Sequence, residues 1–251
     1  MFKNFFLSEI KYTLKQPMVY IFMFIISLLV FFAVVSDNVQ IGGAVGNVYR
    51  NSPFTITTYT GIMTIFGLLM ATAFFNNAAL RDYKNEFNEI LFSTPLNKAG
   101  YFFGRFFGAL LISTIPLLGV FIGMLLGSVL APAFGWIDAE RYGSFYLETF
   151  VNNYFLFILP NMFFAGTIIF AFATKWKSTM ISFVGSMVIM IGYLASGSLI
   201  SDIDNETIGA LTDIFAVNTY SIDTRYFTPL EKNTISPSFS GLLLTLSLIH
   251  I

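Results

Sequence analysis

Five stretches of this 251-residue chain carry no charged side chain at all: residues 18–35, 57–79, 106–131, 151–173 and 180–200. A helix needs about 20 apolar residues to cross the ~30 Å hydrocarbon core of a bilayer, and each run is about that long or longer. Only closed barrels and helices satisfy their backbone polar groups in lipid, and continuous apolar runs of this length lack the alternation of barrel strands. Charged residues make up 11% of the chain against about 25% in soluble domains, and mean hydropathy is +0.74. The fold class expected is all-α integral membrane, one domain over 1–251.

The first run follows residues 2–15, where Phe2, Phe6, Ile10 and Leu14 recur every four residues and Lys3, Glu9, Lys11 and Lys15 supply a polar side. That pattern predicts an amphipathic interfacial helix over 1–16, ended by Pro17. A cleavable signal peptide is the competing reading of this end. Its apolar core spans about 7–15 residues, and run 18–35 exceeds that. Orientation follows from the basic residues. With the N-terminus cytoplasmic, Lys3, Lys11, Lys15, Arg81, Lys84, Lys98, Arg105, Lys175 and Lys177 lie inside, and only Arg50, Arg141, Arg225 and Lys232 lie outside. Nine against four satisfies the positive-inside rule. Segments 36–56, 132–150 and 201–239 are then outside, and within the last Ile208, Leu211 and Phe215 predict a short helix on the outer surface. Trp136 and Tyr142 on one side and Trp176 on the other suit aromatic belts. Residues 241–251 are apolar and read as the first half of a sixth span, which predicts a truncated chain.

The longest polar segment flanked closely by apolar runs is 81–107, RDYKNEFNEILFSTPLNKAGYFFGRFF. Tyr83, Phe87, Ile90 and Leu91 fall on one stripe of a helix over 81–92, and Asp82, Asn85, Glu86 and Glu89 on another. Pro95 stops it and pushes Thr94 into extended conformation, and Asn97 caps a second helix. In that second helix and the span it enters, Gly104 and Gly108, then Gly119, Gly123 and Gly127, recur by four and predict a close-packed face, within the subunit or at a dimer seam.

Several chemistries are excluded. There is no cysteine, so no disulfide or thiolate metal site, and His250 is the single histidine. No phosphate-binding loop, zinc-protease helix or hydrolase nucleophile elbow is present. The polar residues expected at depth are Asn76, Asn77, Asn152, Asn153 and Asn161, read as inter-helix hydrogen-bonding groups rather than a substrate site. A charge-free interior argues against ion-coupled transport, which ordinarily keeps an ionisable residue at depth. The net charge of −1 gives no footprint for nucleic acid.

Residues 81–110 resemble the coupling segment of ABC type-2 exporter permeases. In that family an acidic helix follows the second span, a leucine-rich Thr/Ser-Pro stretch ends it, and a glycine-basic pair opens the third. Here Glu86 and Glu89 match the acidic positions, LFSTPL at 91–96 the proline stretch, and Gly104 with Arg105 the pair. The resemblance implies a cytoplasmic coupling segment over 81–105, with Arg81, Asp82, Asn85, Glu86, Glu89, Ser93, Thr94 and Pro95 at the contact with an ATPase. It further implies a partner ABC ATPase that carries ATP and Mg, a second permease copy or homologue, and the bacterial inner membrane. The chain itself would hold no cofactor and no catalytic group. The segments FLSEIKYTLKQPMVYIF and DNVQIGGAVGNVYRNSP are similar to a bacterial subgroup whose longer members add an extracytoplasmic zinc aminopeptidase-like domain. A permease–aminopeptidase fusion and an ion-coupled secondary transporter stand as alternatives.

Overall fold

The computed structural model describes residues 1–43, 46–200 and 206–238, and every regular element among them is helical. Helix α1 (Phe2–Leu14) leads to α2 (Pro17–Val35). Gln16 between them is extended, as a residue before proline must be, and Pro17 opens α2 where its missing N–H costs nothing. Helix α3 (Pro53–Lys84) starts on a Ser52 cap that accepts from the Thr55 N–H. Its 32 residues rise about 48 Å, so about 12 residues overshoot the ~30 Å apolar core. A six-residue helix, α4 (Asn88–Ser93), separates α3 from α5 (Lys98–Thr114). Pro116 cannot donate to the carbonyl four residues back, and a 3-10 turn over Pro116–Leu118 joins α5 to α6 (Gly119–Ala133). The next crossing is α7 (Leu147–Asn153), a π-turn over Tyr154–Ile158, and α8 (Leu159–Trp176). The π-turn ends at Ile158 and Pro160 takes the second position of α8, consistent with a ladder that slips to release the carbonyl the ring would strike. Helix α9 (Thr179–Ile200) follows. Five segments are thus long and apolar enough to cross a membrane. The half-span at 241–251, with Asp202 and Asp204, lies outside the described residues.

Helix α3 is the axis of the bundle. Of its apolar window 67% is buried, against 28% for α2 and 22% for α9. Four threonines along it, Thr57, Thr58, Thr60 and Thr72, donate to the carbonyl four residues earlier, which removes the cost of burying a hydroxyl. Of the asparagines expected at depth, Asn152, Asn153 and Asn161 make inter-element bonds, whereas the buried Asn76 Oδ1 has no partner among the described residues. Asn153 Nδ2 donates to Thr57 Oγ1 at 3.0 Å, and Asn161 Nδ2 to Thr64 Oγ1 at 3.0 Å.

The glycines of the third crossing pack within the chain. A Cβ on Gly104 or Gly108 would strike Phe5 or Glu9 of α1 at 2.8 and 2.7 Å. On Gly119 or Gly123 it would strike the carbonyls of Met23 and Ser27 of α2 at 2.5 and 2.3 Å, and on Gly127 the side chain of Val34 at 2.7 Å. The α1–α2 strip and the α5–α6 strip therefore run side by side in the same direction, both interrupted near the Pro17 and Pro116 breaks. Ser27 Oγ adds a hydrogen bond to the Gly119 carbonyl at 3.0 Å. At the far end of α2, buried Arg50 donates to the carbonyls of Ala33, Val34 and Ser36 and pairs with Asp37, closing carbonyls a helix end leaves open.

The expected surface helix through Ile208, Leu211 and Phe215 takes another form. Helix α10 (Glu206–Leu211) packs back along α9, its Gly209 carbonyl accepting from Ser196 Oγ at 2.7 Å. Phe215 lies beyond the helix end, fully buried, and its carbonyl accepts from Asn161 Nδ2 at 3.0 Å. That contact sits beside Thr64, about 17 Å along α3 from its start. The chain then returns through α11 (Val217–Asp223) and α12 (Pro229–Thr234), where Asn233 accepts from the Tyr49 N–H at 2.8 Å. Asp213 holds the turn at the bottom of this dip. Its carboxylate accepts from the N–H groups of Phe215, Asn218 and Thr219 at 3.2, 2.7 and 3.1 Å.

The α2–α6 seam gives a direct check. Gly123→Ala should lower stability in detergent by about 1–3 kcal/mol, the cost of overpacking. Gly197→Ala, whose new methyl meets nothing closer than Asn218 Nδ2 at 3.6 Å, should leave the unfolding midpoint unchanged or slightly raised. Equal midpoints for the two variants would rule out the close seam.

Candidate functional site

The end of the bundle that carries Lys84, Lys98, Lys175 and Lys177 holds the loop singled out by the sequence. The expected continuous helix over 81–92 is in fact two helices. Helix α3 runs on to Lys84, and Glu86 then adopts a left-handed conformation with φ 56°. The Phe87 N–H reaches back to the Asp82 carbonyl at 2.9 Å and the Glu86 N–H to the Tyr83 carbonyl at 3.2 Å. This is the Schellman pairing that ends helices, usually with glycine at the left-handed position. No glycine marks it here, so periodicity alone carried the expected helix through the break.

The break divides the predicted contact residues into two groups. Asn85, Glu86, Glu89, Ser93, Thr94 and Pro95 are exposed on the loop. Arg81 and Asp82 face inward and make ion pairs instead. Arg81 is bidentate to Glu9, with Nη2 to Oε2 at 2.8 Å and Nη1 to Oε1 at 3.3 Å, and its guanidinium stacks 3.8 Å from the centre of the Tyr12 ring. Arg105 bridges Glu9 and Asp82. Tyr101 Oη donates to Asp82 Oδ2 at 2.8 Å. Two cations and two anions thus form one neutral buried cluster that ties α1, α3 and α5 together.

Glycine packing permits this cluster. Because Gly104 and Gly108 let α1 lie against α5, Glu9 reaches Arg105 with only 1% of its surface exposed. The four-residue recurrence placed Glu9 on the polar side with Lys3, Lys11 and Lys15, which is corrected here: the buried residues of α1 are Glu9 and Thr13. Burial pushes the Glu9 carboxyl above its ordinary value, against the pull of Arg81 and the Thr13 hydroxyl. A raised carboxyl binds protons more readily folded than unfolded, so this residue's own contribution to stability declines as pH rises from its unfolded value of 4.5 toward the folded one.

The loop itself stands on this base. Of the stripe Tyr83, Phe87, Ile90 and Leu91, Phe87 is 47% and Ile90 63% exposed, while Tyr83 and Leu91 are half-buried. The Phe92 ring lies against the base, 6.2 Å from that of Tyr83 and 5.7 Å from that of Tyr101. Thr94 is extended ahead of Pro95, and Asn97 Oδ1 accepts from the Gly100 N–H at 3.0 Å to open α5. Among the described residues no three His, Cys, Asp or Glu side chains gather as a metal would require. Profiles of protein families, curated proteins and solved structures give no match to this chain.

Removing one member of a buried ion cluster strands its partners at about 3–5 kcal/mol. Glu9→Gln should therefore lower stability by that amount, because Arg81 loses its carboxylate and Asp82 is left as the one anion of the cluster beside two arginines. Glu86→Gly should raise it by about 1 kcal/mol, since glycine enters the left-handed region without strain. Denaturant titrations of both variants in micelles check the pair, and a neutral Glu9→Gln would contradict the cluster.

Proposed function

We propose that this chain is the membrane permease of an ATP-driven exporter of the ABC type-2 kind, with residues 85–97 docking on a separate ATPase. The observation that carries the reading is the mounting of that loop. A sharp turn and the short helix after it, with two exposed carboxylates, Glu86 and Glu89, and two open apolar side chains, Phe87 and Ile90, project from the lysine-rich end. A buried ion cluster fixes its base to three helices. A non-glycine residue held at positive φ is a strain that functional sites retain, and here it turns Glu86 out of the helix line.

In this reading ATP and Mg stay on the partner, and the permease works as two copies or homologues in a bacterial inner membrane with its N-terminus cytoplasmic. Closure of the ATPase dimer pushes α4. The push reaches α3 through the Schellman turn, passes from Asp82 to Arg105 and Glu9, and moves α1 with α5. Because α1–α2 and α5–α6 are packed glycine to backbone, the two strips shift as a unit and reshape the path between permease halves. The exported substrate is not named by these residues. An aminopeptidase fused beyond residue 251 would leave this account of the membrane part unchanged.

One observation favours the ion-coupled alternative: Asp213 is fully buried, inside a bundle whose charge-free spans promised no such group. Its oxygens are already occupied by three backbone N–H groups, which suits a turn clamp better than an ion site. Asp213→Asn separates the two, since a clamp role predicts lost stability and a coupling role predicts lost ion dependence in an otherwise stable protein.

The docking reading is tested with Glu86→Gly combined with Glu89→Ala, a variant that keeps the turn and removes both charges. Exposed charge pairs contribute about 0.2–1 kcal/mol each, and a recognition face concentrates several. The variant should insert and fold as the parent does. It should lose co-purification with the cognate ATPase and lose stimulation of ATP hydrolysis. Retention of both would remove the docking assignment.

A further inference from the structure

Behind α4, at the same end of the bundle, lies a cleft of about 210 Å³ that the docking account does not use. Its floor is apolar: Ala78 and Ala79 of α3, Phe102 of α5 and Phe170 of α8. Its rim carries Tyr83 and Lys98. Lys177 stands over the Tyr83 ring, Nζ 4.6 Å from its centre. The cleft sits where the charge-free runs end, since Ala79 closes the run 57–79 and Phe102 precedes the run 106–131. That is the depth at which lipid headgroups meet acyl chains.

The charge around it is one-sided. Lys98 and Lys177 make no ion pair among the described residues, and the nearest buried carboxylate, Asp82, is taken by Arg105 and Tyr101. Glu86 and Glu89 lie on the loop beyond and pair with neither lysine. Lys98 is also the first residue of α5, a 17-residue helix whose N-terminal pole favours anions. The volume is below the ~300–1,000 Å³ of enclosed small-molecule sites, as befits a groove that takes part of one chain and leaves the rest in the bilayer.

We infer that this cleft holds an anionic phospholipid, its phosphate between Lys98 and Lys177 and one acyl chain against Ala78, Ala79, Phe102 and Phe170. A zwitterionic lipid would bring its own cation up to two ammonium groups, so the site selects net negative headgroups. The lipid would brace the wall on which Phe92 of α4 rests, which makes the loop's mounting sensitive to membrane composition.

The test uses the full chain in phosphatidylcholine nanodiscs, with and without phosphatidylglycerol, and lipid retention read by native mass spectrometry. The parent should retain phosphatidylglycerol preferentially. Each lysine near an anionic headgroup is worth roughly fivefold, so Lys98→Gln with Lys177→Asn should cut the preference about twenty-five-fold. Asparagine is used at 177 because Lys177 sits at φ 50°, which asparagine tolerates. Lys98→Arg should keep the preference. Lys11→Gln with Lys15→Gln removes equal charge from exposed positions at the same end of the bundle and should leave it intact. An equal drop in both double variants means diffuse surface attraction and overturns the site, as does no drop in the first. Inorganic phosphate protecting the protein as well as the lipid does would overturn the lipid, and a lowered midpoint of the first variant in pure phosphatidylcholine would make the lysines structural.

Discussion

The cluster of Glu9, Arg81, Asp82 and Arg105 is the interaction on which the rest of this structure depends. Burying a charge is expensive enough that the geometry must be close to complete before it is tolerated. Here that geometry needs three separate elements in register: the first helix, the end of the third and the start of the fifth. The glycines of α5 supply the approach, the positions of Arg81 and Asp82 on the last turn of α3 supply the opposite charges, and Tyr101 donates to the same Asp82 oxygen that Arg105 reaches. Net charge in the cluster is zero, so it can sit at an apolar boundary without drawing in counter-ions.

From that base the fold reads outward in two directions. Toward the membrane, α1–α2 and α5–α6 lie in parallel with backbone nearly touching backbone, and α3 carries a ladder of self-satisfied threonines through the middle. Away from the membrane, the polypeptide turns sharply at Glu86 and presents α4. A rigid base and an exposed tip are what the proposed docking role requires, and the strained turn between them is where a push would be felt first.

The sequence made the spans legible because their signal is one-dimensional. Charge-free length locates 18–35 and 180–200 to within a residue of α2 and α9. It also located Pro95, Asn97 and the glycine spacing, whose consequences are local. What it hid were features decided in three dimensions. Glu9 shares its helix with Lys3 and Lys11 and looks solvated until α5 arrives beside it. The end of α3 uses a glutamate where glycine would have advertised the turn. The dip of 206–224 into the bundle mixes polar and apolar residues with no long apolar run, and the Asn161 bond to the Phe215 carbonyl shows its depth. For Glu9 and for the dip, a buried polar partner distant in sequence overrode the local pattern, whereas the turn at Glu86 is closed by backbone bonds to Asp82 and Tyr83.

The central claim is that Asp82 and Arg105 are joined energetically as well as spatially. A double-mutant cycle of Asp82→Asn and Arg105→Gln, read by unfolding titration in mixed micelles, measures this directly. Residues in one ion network show coupling of about 0.5–3 kcal/mol, whereas independent sites add within about 0.3–0.5 kcal/mol. The account predicts coupling in the upper half of the first range. Additive losses would mean that the cluster does not bind the loop to the spans.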